Sequence, residues 1–236
     1  MRSSLSDPNV MKVTYYGHSC FAVETAGKTL LFDPFITPNP LAASVDVASL
    51  KPDFILLTHG HFDHVADVET IARASGATIV GCYEVVEWFG TKGIENRIPM
   101  NSGGSCTTDF GRVTFTPAIH SSSLPDGSYG GQPGGFRVET VEGAFYYSGD
   151  TALTRDMELI ATAGPLKFAA LCIGDHFTMG YRDAATAAGW LGCQEVLGVH
   201  YDTFPPITID REAAKQAFEL KGARLHLPGI RESVTF

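Results

Sequence analysis

The chain has 236 residues, 44% of them hydrophobic, and 17 Lys and Arg against 26 Asp and Glu give a formal net charge of -9. That composition excludes a disordered chain, and the length is enough for one sizeable core, so residues 1–236 are expected to form a single domain. No basic block stands out, which argues against nucleic acid as the partner, because phosphate neutralisation needs a basic surface.

The stretch Met1 to Asn9 is polar, holds Pro8 and lacks an apolar h-region, so no secretory leader is expected. No apolar run is long enough to span a bilayer. The five cysteines, Cys20, Cys82, Cys106, Cys172 and Cys193, are odd in number and form no CxxC pair. Reduced thiols in a cytoplasmic protein are the expectation.

From Lys12 the chain reads as short β-rich runs: Val13–Tyr16, Cys20–Val23 and Thr29–Phe32, separated by Gly17 and Gly27. Asp33-Pro34 ends the third, and Pro38 and Pro40 make an irregular loop. Asp53–Leu57 is an apolar run that reads as a buried strand. Val65, Val68, Ile71 and Ala72 are spaced for one face of a helix stopped at Gly76. Thr78–Val80 is a strand and Tyr83–Phe89 a short helix. Thr107–Phe110 and Val113–Thr116 predict a hairpin turning at Gly111. Phe136–Val138 and Ala144–Tyr147 predict another, turning near Glu142-Gly143. In the second half helices alternate with strands. Helices are expected over Thr154–Ala163, Asp183–Leu191 and Asp210–Leu220, and strands over Phe168–Ile173, Val196–Val199 and Arg224–Leu227. Strands first, then alternating strand and helix, implies helices packed on sheets, an α/β (α+β) fold. The Ser- and Gly-rich stretch Ser121–Gly135 is the one long irregular segment, and with Asn39–Val47 it is a candidate wall of a cleft.

Between the Asp53–Leu57 strand and the helix after it lies Thr58-His59-Gly60-His61-Phe62-Asp63-His64. Three imidazoles and a carboxylate at this density are a ligand set for a borderline divalent cation. His59 and His61, two apart in an extended segment, point to one side; Asp63 and His64 open the helix. Three later strands each end in the same kind of residue: His120, Asp150 and His200. Strands whose carboxyl ends meet at one edge would gather all seven groups. Seven ligands are too many for one tetrahedral ion and suit two metals bridged by a carboxylate and a hydroxide.

The pattern His59-x-His61-x-Asp63-His64, followed in order by His120, Asp150 and His200, resembles the metallo-β-lactamase superfamily. Gly17-His18-Ser19-Cys20-Phe21 and Ser148-Gly149-Asp150-Thr151 resemble its bacterial and archaeal branch of metal-dependent hydrolases, similar to ascorbate-phosphate lactonases and N-acyl-phosphatidylethanolamine phospholipase D. The resemblance covers about Lys12 to Phe236 and implies a four-layer αββα sandwich with the site at one edge of two mixed sheets. It implies that His59, His61 and His120 hold a first metal, that Asp63, His64 and His200 hold a second, and that Asp150 bridges them. It also implies a hydrolase acting through a metal-bridging hydroxide on a phosphodiester, lactone or other ester, with Asp63 and His176 as catalytic groups. Zinc leads on ligand type; manganese, iron or nickel suit the same ligands. The alternative is an iron-dependent redox enzyme, or a protein that binds metal and ligand without turnover. The expected partner is a small-molecule substrate, with a homo-oligomer allowed by the resemblance.

His176 follows the strand Phe168–Ile173, at the same strand-end position as the ligands, and is the candidate proton donor. His18 follows a strand and Gly17 and is a candidate substrate contact facing the cleft. Asp33 is read as a partner for a metal-bound imidazole, and His226, between two leucines, as structural.

Overall fold

The computed structural model describes residues 10–236, so the leader reading of Met1 to Asn9 lies outside the described residues. The first sheet opens with an antiparallel meander, β1 (Lys12–Gly17), β2 (Cys20–Thr25) and β3 (Lys28–Phe32). Ala26 and Gly27, both at positive φ, make the tight turn between β2 and β3, whose twist matches the strands. β4 (Phe54–Leu57), β5 (Thr78–Cys82) and β6 (Arg97–Met100) then add in parallel, joined by α1 (Phe62–Val65), α2 (Val68–Ser75) and α3 (Tyr83–Thr91).

The second sheet repeats this plan. β7 (Ser105–Thr107), β8 (Arg112–Pro117), β9 (Gly134–Thr140) and β10 (Gly143–Tyr147) are antiparallel. β11 (Phe168–Cys172), β12 (Glu195–Val199) and β13 (Arg224–His226) add in parallel, with α4 (Asp156–Thr162), α5 (Tyr181–Leu191) and α6 (Arg211–Glu219) between them. β14 (Ser233–Thr235) returns to the first sheet beside β1. Two mixed seven-stranded sheets flanked by helices result, which is the four-layer αββα sandwich.

β4 and β11 are buried along their whole length, because each has a helix layer on one face and the other sheet on the opposite face. That is why they read as unbroken apolar runs while β1 alternates. The layer between the sheets is aromatic. Phe21 stacks on Phe32 at 4.6 Å, and Tyr147, Phe145 and Phe136 from the second sheet meet Phe32 edge-on at 5.6, 5.9 and 6.2 Å. Such edge-to-face pairs contribute about 0.5–1.5 kcal/mol each beyond their burial.

Four local expectations are corrected. β6 carries Pro99 and β14 is a three-residue polar strand; both are edge strands, where a missing donor or a short run is tolerated. The strand expected at Thr107–Phe110 is earlier, because Phe110 leaves the ladder to pack edge-on against Phe54 at 4.7 Å. The single helix expected from Val65 to Ala72 is two helices. Asp67 breaks it by turning its carboxylate to accept from the backbone N–H groups of Ile36 and Thr37 at 2.6 and 2.9 Å.

Candidate metal centre

β1, β3 and β4 of one sheet and β8, β10, β11 and β12 of the other run so that their carboxyl ends share one edge. The residues just past those ends are His18, Asp33, the loop His59–His64, His120, Asp150 and His200. Three of them, His18, Asp33 and His200, have positive φ (54, 39 and 56°), a conformation that costs a non-glycine residue about 1–2 kcal/mol. Cross-sheet hydrogen bonds hold the strained ends: His200 N–H donates to the His18 carbonyl at 2.9 Å, and Gly134 N–H to the Thr58 carbonyl at 3.0 Å.

All seven predicted ligands come together. The ligand atoms of His59, His61 and His120 lie within 4.8 Å of one another, as do those of Asp63, His64 and His200 with His18. Asp150 stands between the two groups. Its Oδ2 is 3.0 Å from His200 Nε2, 3.3 Å from His64 Nε2 and 3.7 Å from His120 Nε2.

One buried carboxylate organises the imidazoles. Asp33 accepts from Thr58 N–H at 2.9 Å, the Thr58 hydroxyl at 2.6 Å, the Tyr147 hydroxyl at 2.7 Å and His64 Nδ1 at 2.9 Å. His64 therefore carries its proton on Nδ1 and turns Nε2 toward Asp150. Thr58 has only one hydroxyl proton and gives it to Asp33, so at 3.0 Å its oxygen accepts from His59 Nδ1–H. The Nε2 lone pair of His59 then points at His61 Nδ1, 3.0 Å away. This is the outer partner that metal-bound imidazoles require, and it is the place read for Asp33. A cation fits the donor set on internal grounds: His64 Nε2 and Asp150 Oδ1 are buried polar atoms with no hydrogen-bond partner.

Electrostatics agree with the geometry. Burial would raise the Asp150 carboxyl, but the facing His200 and His64 rings outweigh it and hold Asp150 well below the usual carboxylate range. Asp63 is lowered likewise, with burial opposing and the His18 contact dominating the rest. Burial pushes His59, His61 and His120 down, keeping neutral imidazoles of the kind a metal takes. His64 goes the other way: burial opposes, yet Asp150 and Asp33 on either side raise it well above the ordinary imidazole value. A divalent cation, with the same sign of charge, would displace that proton.

Two expectations change. His18 does not face the cleft. It is fully buried behind Asp63, with Nε2 at 3.1 Å from Asp63 Oδ2 and Nδ1 at 3.0 Å from Thr203 Oγ1. Burial and the adjacent His200 lower it to about 4, so the ring is neutral and its place is that of a positioning group for Asp63. His176 is exposed on the turn after β11 and is not in the cluster. Asp175 and His176 are both left-handed (62 and 56°), and this reversal turns Phe177 into the cleft in place of His176. His226 is structural as read, its Nε2 meeting Glu195.

Over the cluster lies a cavity of about 470 Å³, walled beyond the ligands by Ser121, Phe177, Phe204 and Pro206. No residue of Asn39–Val47 lines it, and of Ser121–Gly135 only Ser121 does. Thr58, Tyr147, Thr203, Phe177 and Phe204 escape a reading of the sequence. Only Phe177 carries a local signal, since it follows His176 at a strand end.

A two-sheet sandwich with imidazoles and carboxylates gathered at one edge defines the metallo-β-lactamase fold class. The profile of the β-lactamase superfamily domain matches residues 28–201. A UPF0173 metal-dependent hydrolase of Methylacidiphilum infernorum is 48% identical over 224 residues, covering 95% of this chain and 99% of that one. One of Flavobacterium johnsoniae is 50% identical with the same coverage. Among solved structures, Igni18, a metallo hydrolase of the hyperthermophilic archaeon Ignicoccus hospitalis, superposes with a TM-score of 0.87 at 35% identity, covering 96% of this chain and 98% of that one. The chain belongs to the β-lactamase superfamily and, within it, to the UPF0173 metal-dependent hydrolases.

Proposed function

We propose that this hydrolase is binuclear, and that it cleaves an ester-type bond in a phosphodiester, a lactone or a related ester. The observation that carries the reading is the position of Asp150, whose Oδ2 faces His64, His120 and His200 at once. His59, His61 and His120 would form the first ligand set and Asp63, His64 and His200 the second, and Asp150, whose ligand atom clusters with those of His59 from one set and His64 from the other, would serve both. Two divalent ions there, zinc by ligand type, would lower the pKa of a bound water and bear the negative charge that develops on the reacting centre.

The protein's part is placement. Asp33 and Thr58 keep the Nε2 lone pairs of His59 and His64 aimed inward, and Thr203 orients His18, which holds Asp63. No serine or cysteine nucleophile is needed. The cysteines suit none: burial raises Cys82, Cys172 and Cys193 to about 11, away from the reactive thiolate.

The test pairs elemental analysis of the purified chain with hydrolysis of phosphodiester, lactone, thioester and β-lactam panels under added Zn²⁺ or Mn²⁺. Two ions per chain with turnover of an ester class is the expected result. One ion per chain at saturation would overturn the binuclear assignment, and two ions with no turnover would overturn the hydrolytic one.

A further inference from the structure

The cavity over the cluster says what the substrate carries beside its reacting bond; this inference rests on the ester-hydrolase reading above. No lysine or arginine lines the cavity. Two dications there would be balanced by the carboxylates of Asp33, Asp63 and Asp150 and by a bound hydroxide, leaving no positive charge for a second anion away from the reacting centre. A substrate with a second anionic group, such as a phosphate ester remote from the scissile bond, would bury that group without a partner, at a cost of several kcal/mol if isolated.

The wall offers apolar surface instead. Phe177 is 52% exposed and Phe62 is 55% exposed, although both flank the cluster. Phe62 packs edge-on against Phe35 at 5.8 Å, and Phe35, itself buried, lies 6.1 Å from Phe204, so a packed aromatic cluster links the exposed Phe62 ring to the cavity wall at Phe204. Half-exposed rings beside a concave site are contact surface for a ligand.

Phe177 is also held at some expense. The two left-handed residues before it cost about 1–2 kcal/mol each. Asp175 N–H donates to the Met179 carbonyl at 3.0 Å, and Met179 N–H to the Thr151 carbonyl at 2.9 Å, which ties the turn to the residue after Asp150. The turn that carries the ring is thereby fixed relative to Asp150.

We propose that the site takes esters with an apolar alkyl or aryl group beside the scissile bond and no charge outside the reacting group, and that Phe177 and Phe204 are the residues that select them. Phosphomonoesters and phosphorylated sugar lactones are poor substrates for this wall.

The test uses the metal-loaded full chain and two homologous series: γ-lactones from γ-valerolactone to γ-octalactone, and p-nitrophenyl phosphodiesters with a methyl or a phenyl second ester. p-Nitrophenyl phosphate serves as the dianionic comparison. If lactones are turned over, kcat/KM should rise about four-fold per added methylene until the wall is spanned, and if diesters are, the phenyl diester should exceed the methyl one. Phe177→Ala should flatten that rise, and Phe177→Lys should increase the ratio of p-nitrophenyl phosphate to diester turnover by about ten-fold. Position 177 is half exposed, so both variants remain compatible with the fold. A flat series in the wild-type chain, or preference for the dianion, overturns the proposal. If neither class is turned over while two ions are bound, the hydrolase reading fails by itself. The wall is then judged by saturation-transfer NMR with 4-phenylbutyramide: binding that Phe177→Ala weakens supports it, and equal or absent binding overturns it.

Discussion

Replacing Asp33 by Asn should weaken both metal positions at once. The new amide can keep its carbonyl oxygen toward the three donors that now share Oδ2, namely the Thr58 hydroxyl, the Tyr147 hydroxyl and His64 Nδ1. Its nitrogen then faces Thr58 N–H, donor against donor, in place of the 2.9 Å bond to Oδ1. Stranding that buried N–H costs about 1–3 kcal/mol, and three bonds that lose charge assistance cost about 1 kcal/mol each. Removing a buried charge offsets part of this, so the metal-free chain should lose about 2–4 kcal/mol by urea unfolding. Metal affinity should fall by about 10- to 100-fold, the usual effect of losing an outer partner of a ligand. The effect is expected at the second position through His64 and at the first through Thr58 and His59. Competition against a fluorescent zinc chelator reads both affinities. Thr58→Val separates the routes, because it removes the hydroxyl between Asp33 and His59 and should affect the first position alone. Wild-type affinity at the first position in both variants would refute the relay through Thr58.

Asp150→Ala should reduce metal content at both positions, whereas Asp63→Ala or His64→Ala should reduce it at the second only; equal stoichiometry in all three would sink the assignment. His18→Ala should lower occupancy of the second position and leave the first filled, with His18→Asn restoring part of it through its remaining donor, as read by elemental analysis after dialysis; unaltered occupancy in His18→Ala would show that Asp63 needs no such support. Gly149→Ala should destabilise the chain by about 2–4 kcal/mol. Its φ is 59° and an added Cβ would lie 2.4 Å from the Gly134 carbonyl oxygen, so a stability within about 0.5 kcal/mol of wild type would contradict that packing.

The candidate ligand cluster was legible because its signal is local. His59 to His64 sit within six residues, and His120, Asp150 and His200 each stand just past a run that is recognisably a strand. Of the partner network only Asp33 was legible, because the network joins residues far apart in the chain. Asp33 and Tyr147 are 114 positions apart, and His18 and Thr203 are 185 apart. Nothing near His18 announces that its ring is sealed between Phe35 and Phe204. The same blindness made His176 look like a cleft residue. The strand end is correctly placed, but two successive left-handed residues decide which neighbour faces inward, and neither Asp175 nor His176 is a glycine that would warn of them. The break at Asp67 was hidden for a related reason: the apolar spacing of Val65, Val68, Ile71 and Ala72 runs straight through it.

The two-sheet plan also sets an order of events during synthesis. Each proposed metal position draws two ligands from the loop after β4, in the first sheet, and completes its set only with His120 or His200, after strands of the second. A nascent chain that has emerged as far as His64 therefore presents two ligands per ion and holds neither firmly. His200 follows 136 residues later, on the order of ten seconds at usual rates of elongation. On that assignment the second position waits until β12 has been made and docked, whereas the first waits only for His120 and Asp150. The two proposed positions would therefore fill in chain order, the second only after strands of both sheets are in place.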